Sequence, residues 1–177
     1  LNNFKLETQS WISKKIIDHV NIDLPLEILT KIKQNNDFLF ITCDTFYSKF
    51  KVKNSCPYTL SKLELINNIF AHFDATSTVN IRIEHMYGEE DRNEKFIPYV
   101  MENLLKNSDI QLTRCEQKRD FIHVDDVGNY FLKMITNRKI VPNGITTVEL
   151  GTGRLTSLRF FVEELKRQAN SSSQIKF

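Results

Sequence analysis

Tyr58 and Lys62 have the residue types and the spacing for proton transfer to an oxygen: four positions apart, they meet on one face if the chain is helical there. A phenol with an ordinary pKa of about 10 is a poor acid or base at neutral pH, and a neighbouring cation favours its phenolate. So paired, it can pass a proton to or from a sugar or alcohol oxygen while a hydride moves elsewhere. The spacing by itself is weak: with five Tyr and sixteen Lys in 177 residues, chance supplies about half of one such match, and Tyr47 with Lys51 is a second. Context separates the two. Tyr47 lies among Lys49, Lys51 and Lys53, as in a solvated loop, whereas Tyr58 follows Pro57 and precedes a periodic apolar run. Proline is favoured at the first position of a helix, which puts Tyr58 at a helix start.

The elements that must position this pair follow from periodicity. From Ser10 to about Gln34 the apolar residues Trp11, Ile12, Ile16, Ile17, Val20, Leu24, Ile28, Leu29 and Ile32 recur at helical intervals, with Pro25 as a kink or a break. The continuous apolar run Asp37 to Cys43 predicts a strand buried on both faces of a parallel sheet, delivering Cys43 and Asp44 at its carboxyl end. A helix is predicted over 57–73 and a strand over 78–85, then a helix around Phe96 to Leu105. Ile110 to Thr113 and Asp120 to Val124 read as short strands, Asp125 or Asp126 as the cap of a helix to about Thr136, and Thr146 to Leu150 as a strand. Thr156 or Ser157 caps a last helix, and Gly151-Thr152-Gly153 lacks the third glycine of a dinucleotide fingerprint and reads as a turn. This alternation predicts the α/β class with a largely parallel sheet.

Composition narrows the function classes. A formal net charge of +2, spread along the chain, gives no case for nucleic acid or an anionic membrane surface. No apolar run approaches the roughly 20 residues a membrane span needs. Cys43, Cys56 and Cys115 form neither a paired framework nor a zinc pattern, so no metal is expected and a reducing cytoplasm fits. The start at Leu1 without Met and the end at Phe177 soon after a helix and a serine run suggest a piece of a longer protein.

Several segments, in order, resemble the extended short-chain dehydrogenase/reductases, the nucleotide-sugar epimerases, dehydratases and ketoreductases. Phe38 to Tyr47 is similar to the active-site strand and its end, Tyr58 and Lys62 to the Tyr-x-x-x-Lys pair, and Arg82-Ile83-Glu84-His85-Met86-Tyr87-Gly88 to the Arg…Tyr-Gly segment. Lys95-Phe96-Ile97-Pro98 is similar to the nucleotide-side helix start, and Arg119-Asp120-Phe121-Ile122-His123-Val124-Asp125-Asp126 is the most specific match. Within the family the chain looks most like O-antigen sugar ketoreductases acting on CDP-linked sugars.

That resemblance implies a partial Rossmann-like, doubly wound parallel sheet with a small substrate-binding α/β subdomain. Residues 1–85 would be the carboxyl-terminal half of an NAD(P)-binding domain, and 86–177 mainly the substrate-binding part with a returning sheet strand. It further implies Tyr58 as acid/base and Lys62 on the nicotinamide ribose, both also cofactor-binding, with Cys43 and Asp44 completing the catalytic set. NAD or NADP is the expected cofactor, NADPH favoured. The expected partners are a nucleotide-diphospho-sugar, a CDP-sugar favoured, and a second copy in a homodimer. His85, Lys95, Phe96 and Arg119 would bind substrate, Arg119 through bidentate contact to the diphosphate. Each of these also has a plain structural alternative: a satisfied histidine, a helix start, a core aromatic, and an ion pair to Asp120.

Two departures qualify the resemblance. Cys43 stands where the family keeps a Ser or Thr against the reacting oxygen, and a thiol is a weaker donor. Thr45 replaces an acid that follows Asp44 in dehydratases, which favours keto reduction or epimerisation over dehydration. The five glycines, at 88, 128, 144, 151 and 153, form no cofactor-binding turn, so residues 1–177 alone are expected to bind NAD(P) negligibly.

Overall fold

The structure, a computed structural model, describes residues 14–32, 38–50, 56–73, 77–141 and 144–177. The expected helix residues 10–13, 33 and 34, the strand residue Asp37 and Lys51, the partner of Tyr47 in the second match, lie outside the described residues. Two compact units are present: residues up to Ile83 with Phe131–Leu150, and Glu84–Tyr130 with Gly151–Phe177.

In the first unit the amino-terminal helix runs as α1 (Lys14–Asp18), a π-helical stretch His19–Asp23, and α2 (Leu24–Ile32). Pro25 neither breaks the helix nor sharply ends it. Proline has no amide for an i→i−4 bond and its ring crowds the carbonyl of Asn21; the wider π turn, closed by the Leu24 amide on the His19 carbonyl, absorbs that conflict. Strand β1 (Leu39–Thr45) and strand β2 (Ser77–Ile83) pair in parallel, with Cys43 opposite Ile81 and Asp44 opposite Arg82. The later strand β6 (Ile145–Leu150) pairs in parallel with β2, giving the order β1-β2-β6 and setting Arg82 opposite Glu149. This is the α/β, parallel-sheet class the sequence predicts.

Helix α3 (Pro57–His72) begins at the expected proline, with Cys56 as an extended N-cap residue. Its Leu65, Ile66 and Ile69 join Leu29 of α2 and Phe73 in a core to which Phe40 and Ile145 of the sheet contribute. Spacing of three and four residues puts these side chains on one helical face, so α3 is held by burial rather than propensity.

The second unit contains β3 (His85–Tyr87), α4 (Phe96–Leu105), β4 (Ile110–Gln111), β5 (Lys118–His123), β7 (Leu155–Ser157), α6 (Leu158–Gln168) and β8 (Ile175–Lys176). Strand β5 lies between β3, parallel to it, and β7, antiparallel, while β4 pairs in parallel with β8. Helix α5 (Val124–Thr136) has its residues to Tyr130 in the second unit and those from Phe131 in the first.

Some local expectations change. Neither Asp125 nor Asp126 caps α5: both sit in its first turn, and the amide of Asp125 donates to His123 Nδ1 at 3.3 Å. Of the two candidates for α6, Ser157 is the cap, accepting from the Phe160 amide, and Thr156 belongs to β7. The terminal serine run is built structure. Helices α4 and α6 are each followed, one residue beyond their C-caps, by an asparagine with positive φ, Asn107 at 52° and Asn170 at 48°, a conformation Asn tolerates better than most residues. The Asn107 side-chain oxygen then accepts from the Ser172 amide at 2.8 Å, Ser173 is fully buried, and Phe177 packs on the Val100, Leu104, Ile110 and Val162 core.

Candidate active site

Alternation along β1 sends Thr42 and Asp44 to one face and Cys43 to the other, and the accessibilities agree: Asp44 is 5% exposed and Cys43 is exposed. The Asp44 carboxylate accepts three hydrogen bonds. Its Oδ1 accepts from the Thr45 amide at 2.7 Å and from the Ser48 hydroxyl, and its Oδ2 faces Arg82 Nε at 3.1 Å. Arg82 in turn reaches Glu149 at 3.5 Å, and Glu149 meets Lys49 at 2.8 Å. The carboxyl ends of three adjacent strands thus carry an alternating row of charges, closed by Lys49 from the 3₁₀ turn Phe46–Lys49. Sequence reasoning missed this row; the signal for it was the acid, base, acid order at the ends of the three strand-like runs, legible only once the strands are taken as neighbours.

Tyr58 and Lys62 come together as the helical spacing requires, with Lys62 Nζ 5.6 Å from the centre of the Tyr58 ring. The Tyr58 phenol is 44% exposed. Its pKa is raised above the ordinary 10, first by partial burial and then by the negative charges that Cys43, Asp44 and Cys56 would carry. The shift thus runs against the phenolate, the form Lys62 is expected to favour, with partial burial as its first cause. Burial likewise raises the Cys43 thiol, and Lys62 opposes that rise only in part. At neutral pH the pair offers a protonated phenol beside a protonated thiol. The first turn of α3 is braced by Ser61, which donates to the Tyr58 carbonyl at 2.8 Å and accepts from Asn21 Nδ2 of the π stretch at 2.9 Å. Tyr47 is 61% exposed in the 3₁₀ turn, as a loop residue.

Cys43, Asp44, Tyr58 and Lys62 all belong to the first unit, whereas His85, Lys95, Phe96 and Arg119 belong to the second. In the second unit His85 lies edge-on to Phe121, its neighbour in register on β5, with Nδ1 4.0 Å from Glu84. Lys95 caps α4 in extended conformation and pairs with Asp91 at 2.7 Å. Phe96 packs against the Val100 and Leu104 core. Arg119 donates to the Lys118 carbonyl at 2.8 Å. Its neighbour Asp120 is held by the amides of Thr152 (2.9 Å) and Gly153 (2.8 Å) and by the Thr152 hydroxyl. A Cβ at Gly151 would stand 2.5 Å from Asp120 Oδ2, so only glycine allows that approach.

For a nicotinamide cofactor, the half-exposed Tyr58 side chain and the Lys62 ammonium near its ring are a donor pair of the kind ribose hydroxyls accept from. The pyrophosphate end finds no such fit in the Gly151–Gly153 turn, because the amides of Thr152 and Gly153 that could meet a phosphate already serve the Asp120 carboxylate. Among the described residues no group of His, Cys, Asp and Glu could hold a metal ion, and no helix is long and apolar enough to cross a membrane. A shallow depression in the first unit, lined by Lys14, Lys15, Asp18, Ile22, Asp23 and Glu64, shares no residue with the Tyr58 cluster.

Comparison with known proteins places this geometry. The chain is 37% identical over 168 residues to CDP-abequose synthase of Salmonella typhimurium, covering 91% of this chain and 56% of that protein. It is 34% identical over 162 residues to CDP-abequose synthase of Salmonella muenchen, covering 89% and 55%. The chain therefore spans little more than half the length of these relatives. In fold it is similar to RMD from Pseudomonas aeruginosa, solved with NADPH, with a TM-score of 0.76, 15% identity and coverage of 96% of this chain and 64% of that one. It is also similar to the UDP-N-acetylglucosamine 4-epimerase of Methanobrevibacter ruminantium, solved with UDP-N-acetylmuramic acid, with a TM-score of 0.71, 18% identity and coverage of 90% and 56%. The sequence profile of the NAD dependent epimerase/dehydratase family matches residues 8–149, which include the Cys43 strand end, the Tyr58 and Lys62 pair and the Arg119 segment, and the chain belongs to that family.

Proposed function

We propose that the protein is an NAD(P)-dependent nucleotide-diphospho-sugar ketoreductase, reducing a 4-keto-deoxysugar, with epimerisation as the variant chemistry of the same site. The observation that carries this reading is the half-exposed Tyr58 side chain at the start of α3 with Lys62 Nζ 5.6 Å from its ring centre. A phenol kept in its acid form is suited to give a proton to a keto oxygen as that oxygen gains charge. NADPH, when bound, supplies the hydride. Lys62 orients the ribose, Cys43 contributes a weak S–H donor near the reacting oxygen, and Arg119 with Lys95 and His85 binds the nucleotide diphosphate. Phe96, partly buried against the Val100 and Leu104 core at the start of α4, completes the substrate-binding set in this proposal.

Identity to CDP-abequose synthases favours a CDP-linked sugar, and NADPH is the hydride donor in this proposal. On this reading the first unit is the carboxyl-terminal half of a Rossmann-like cofactor domain and the second the substrate side. A homodimer in the cytoplasm completes the proposal, with sedimentation velocity as its check. The full-length protein should oxidise NADPH only when a CDP-4-keto-deoxysugar is added, and Tyr58→Phe should lower kcat by about 10²-fold or more while leaving nucleotide affinity in place. Binding of neither cofactor nor CDP-sugar would refute it. Calorimetry on residues 1–177 alone should show no NAD(P) binding at micromolar concentration.

A second reading, a non-catalytic nucleotide-sugar binder, is favoured by one observation: the group beside Tyr58 is a thiol whose pKa is raised. Cys43→Ser in the full-length protein separates the two. A large gain in turnover identifies a weakened enzyme, and inactivity with ligand still bound identifies a binder.

A further inference from the structure

The row Asp44, Arg82, Glu149, Lys49 bears on which reaction this site can perform. Of its members Asp44 is the most enclosed, with a side chain 1% exposed, followed by Arg82 at 19%. The carboxylate sits on the β1 face that also carries Phe40, which joins the α2 and α3 core, opposite to the face of Cys43. It holds three donors from three places: the next amide along the chain, the Ser48 hydroxyl of the following turn, and Arg82 of the neighbouring strand. Together these fix where β1 ends and where the 3₁₀ turn begins, and Cys43 is the residue just before. A carboxylate that already accepts three of the roughly four hydrogen bonds it can take, and whose side chain is 1% exposed, has little acceptor capacity left for a substrate.

We infer that Arg82 withdraws Asp44 from proton transfer and makes it a positioning residue for the Cys43 end of β1, restricting the site to reactions that need a single proton donor. The inference rests on the ketoreductase reading above. In carbonyl reduction a hydride adds to the carbonyl carbon, the π pair moves onto oxygen and takes the Tyr58 proton, and the dinucleotide leaves oxidised. One acid suffices. Elimination of water next to a carbonyl removes a proton from the adjacent carbon and gives another to the departing hydroxyl, two transfers that a proton-cycling group besides the phenol would serve. Asp44 occupies that place in the sequence, and the Arg82 pairing denies it that use. Its charge still acts on Tyr58, helping to hold the phenol protonated.

The test combines stability, thiol reactivity and turnover. In the full-length protein Arg82→Gln should lower the unfolding midpoint by about 10 °C, because it leaves a buried carboxylate without its cation. Adding Asp44→Asn to that variant should restore at least half of the loss, as coupled partners do. Alkylation of Cys43, followed by peptide mass spectrometry well below the melting temperature, should quicken several-fold in Asp44→Asn and in Arg82→Gln, a change that lost global stability alone does not produce. Asp44→Asn should lower kcat about tenfold with the nucleotide-sugar KM held and both limbs of the pH profile kept. Additive effects on the midpoint, or unchanged Cys43 reactivity, would overturn the positioning role. So would a fall of about 10³-fold in Asp44→Asn with loss of a pH limb, or water elimination by the wild type. If the wild type reduces no keto sugar and binds no cofactor while the coupling and the alkylation behave as expected, the ketoreductase reading fails and the anchoring of β1 stands.

Discussion

The first unit satisfies its buried carboxylate, Asp44, with one amide, one hydroxyl and a guanidinium that is itself tied to Glu149, whereas the second satisfies its own, Asp120, with two backbone amides and a hydroxyl. The two differ in what they demand of the chain. An ionic partner needs a charged side chain at one register position, and its contribution depends on that partner's burial and charge state. A nest of amides needs a backbone conformation, with Gly151 small enough for close approach and Gly153 at a φ of +76°, and no second charge. The first arrangement ties chemistry to strand register, the second to turn geometry, and substitutions should fail differently in the two.

The largest effect is expected at Asp44. Asp44→Ala leaves Arg82 beside a cavity with its nearest anion gone, costing about 3–5 kcal/mol in a denaturant titration. Asp120→Ala should cost less, about 2–3 kcal/mol, because the groups it strands are neutral amides and a hydroxyl. A larger loss at Asp120 than at Asp44 would break the comparison. Gly151→Ala should cost about 1–3 kcal/mol by forcing Asp120 or Glu84 to move, while Gly128, whose Cβ would meet nothing within 4 Å, should accept alanine without loss. Such a pair of results confines the effect to the nest.

Titration sharpens the contrast further, with smaller effects. The hydrogen bond from Lys49, helped by the charges of Lys49 and Arg82, lowers the folded pKa of Glu149 below its ordinary 4.5. A depressed folded pKa contributes stability that is complete above the unfolded value and is lost as pH falls through the folded one. The Glu149 contribution should therefore be present above about pH 4.5 and disappear below it, be absent in Glu149→Gln, and shrink in high salt because its side chain is 55% exposed. Tyr58 runs the other way. Its raised folded pKa contributes stability below pH 10 that is lost as pH rises through the folded value, and its phenolate absorbance should appear above pH 10. Tyr58 titrating below 10 in the isolated chain would mean that Lys62, and not burial, governs the phenol.

The sequence by itself determined the local geometry of the candidate site. Pro57 after an extended residue starts α3, helical spacing then brings Lys62 to Tyr58, an apolar run ending at Cys43 makes β1, and a cap at Thr156 or Ser157 is legible because a cap needs only the three residues that follow it, the structure choosing Ser157. The widening of the first helix ahead of Pro25 and the left-handed asparagines after α4 and α6 are equally local, and were within reach of the same rules. Tertiary structure alone decided what the polar side chains do. Asp44 meets Arg82 across 38 residues of chain and Asp120 meets Thr152 across 32, and in neither case does spacing along the sequence constrain the distance. Which strands are neighbours, and in what register, made Asp44 one member of a charge row. The sign of the Tyr58 shift depended on the same contacts, since burial and the charge of Asp44 beside the phenol arise only when β1 and α3 are brought together. Proximity set by backbone periodicity can be read from the residues; proximity set by the packing of separate elements exists only in the fold.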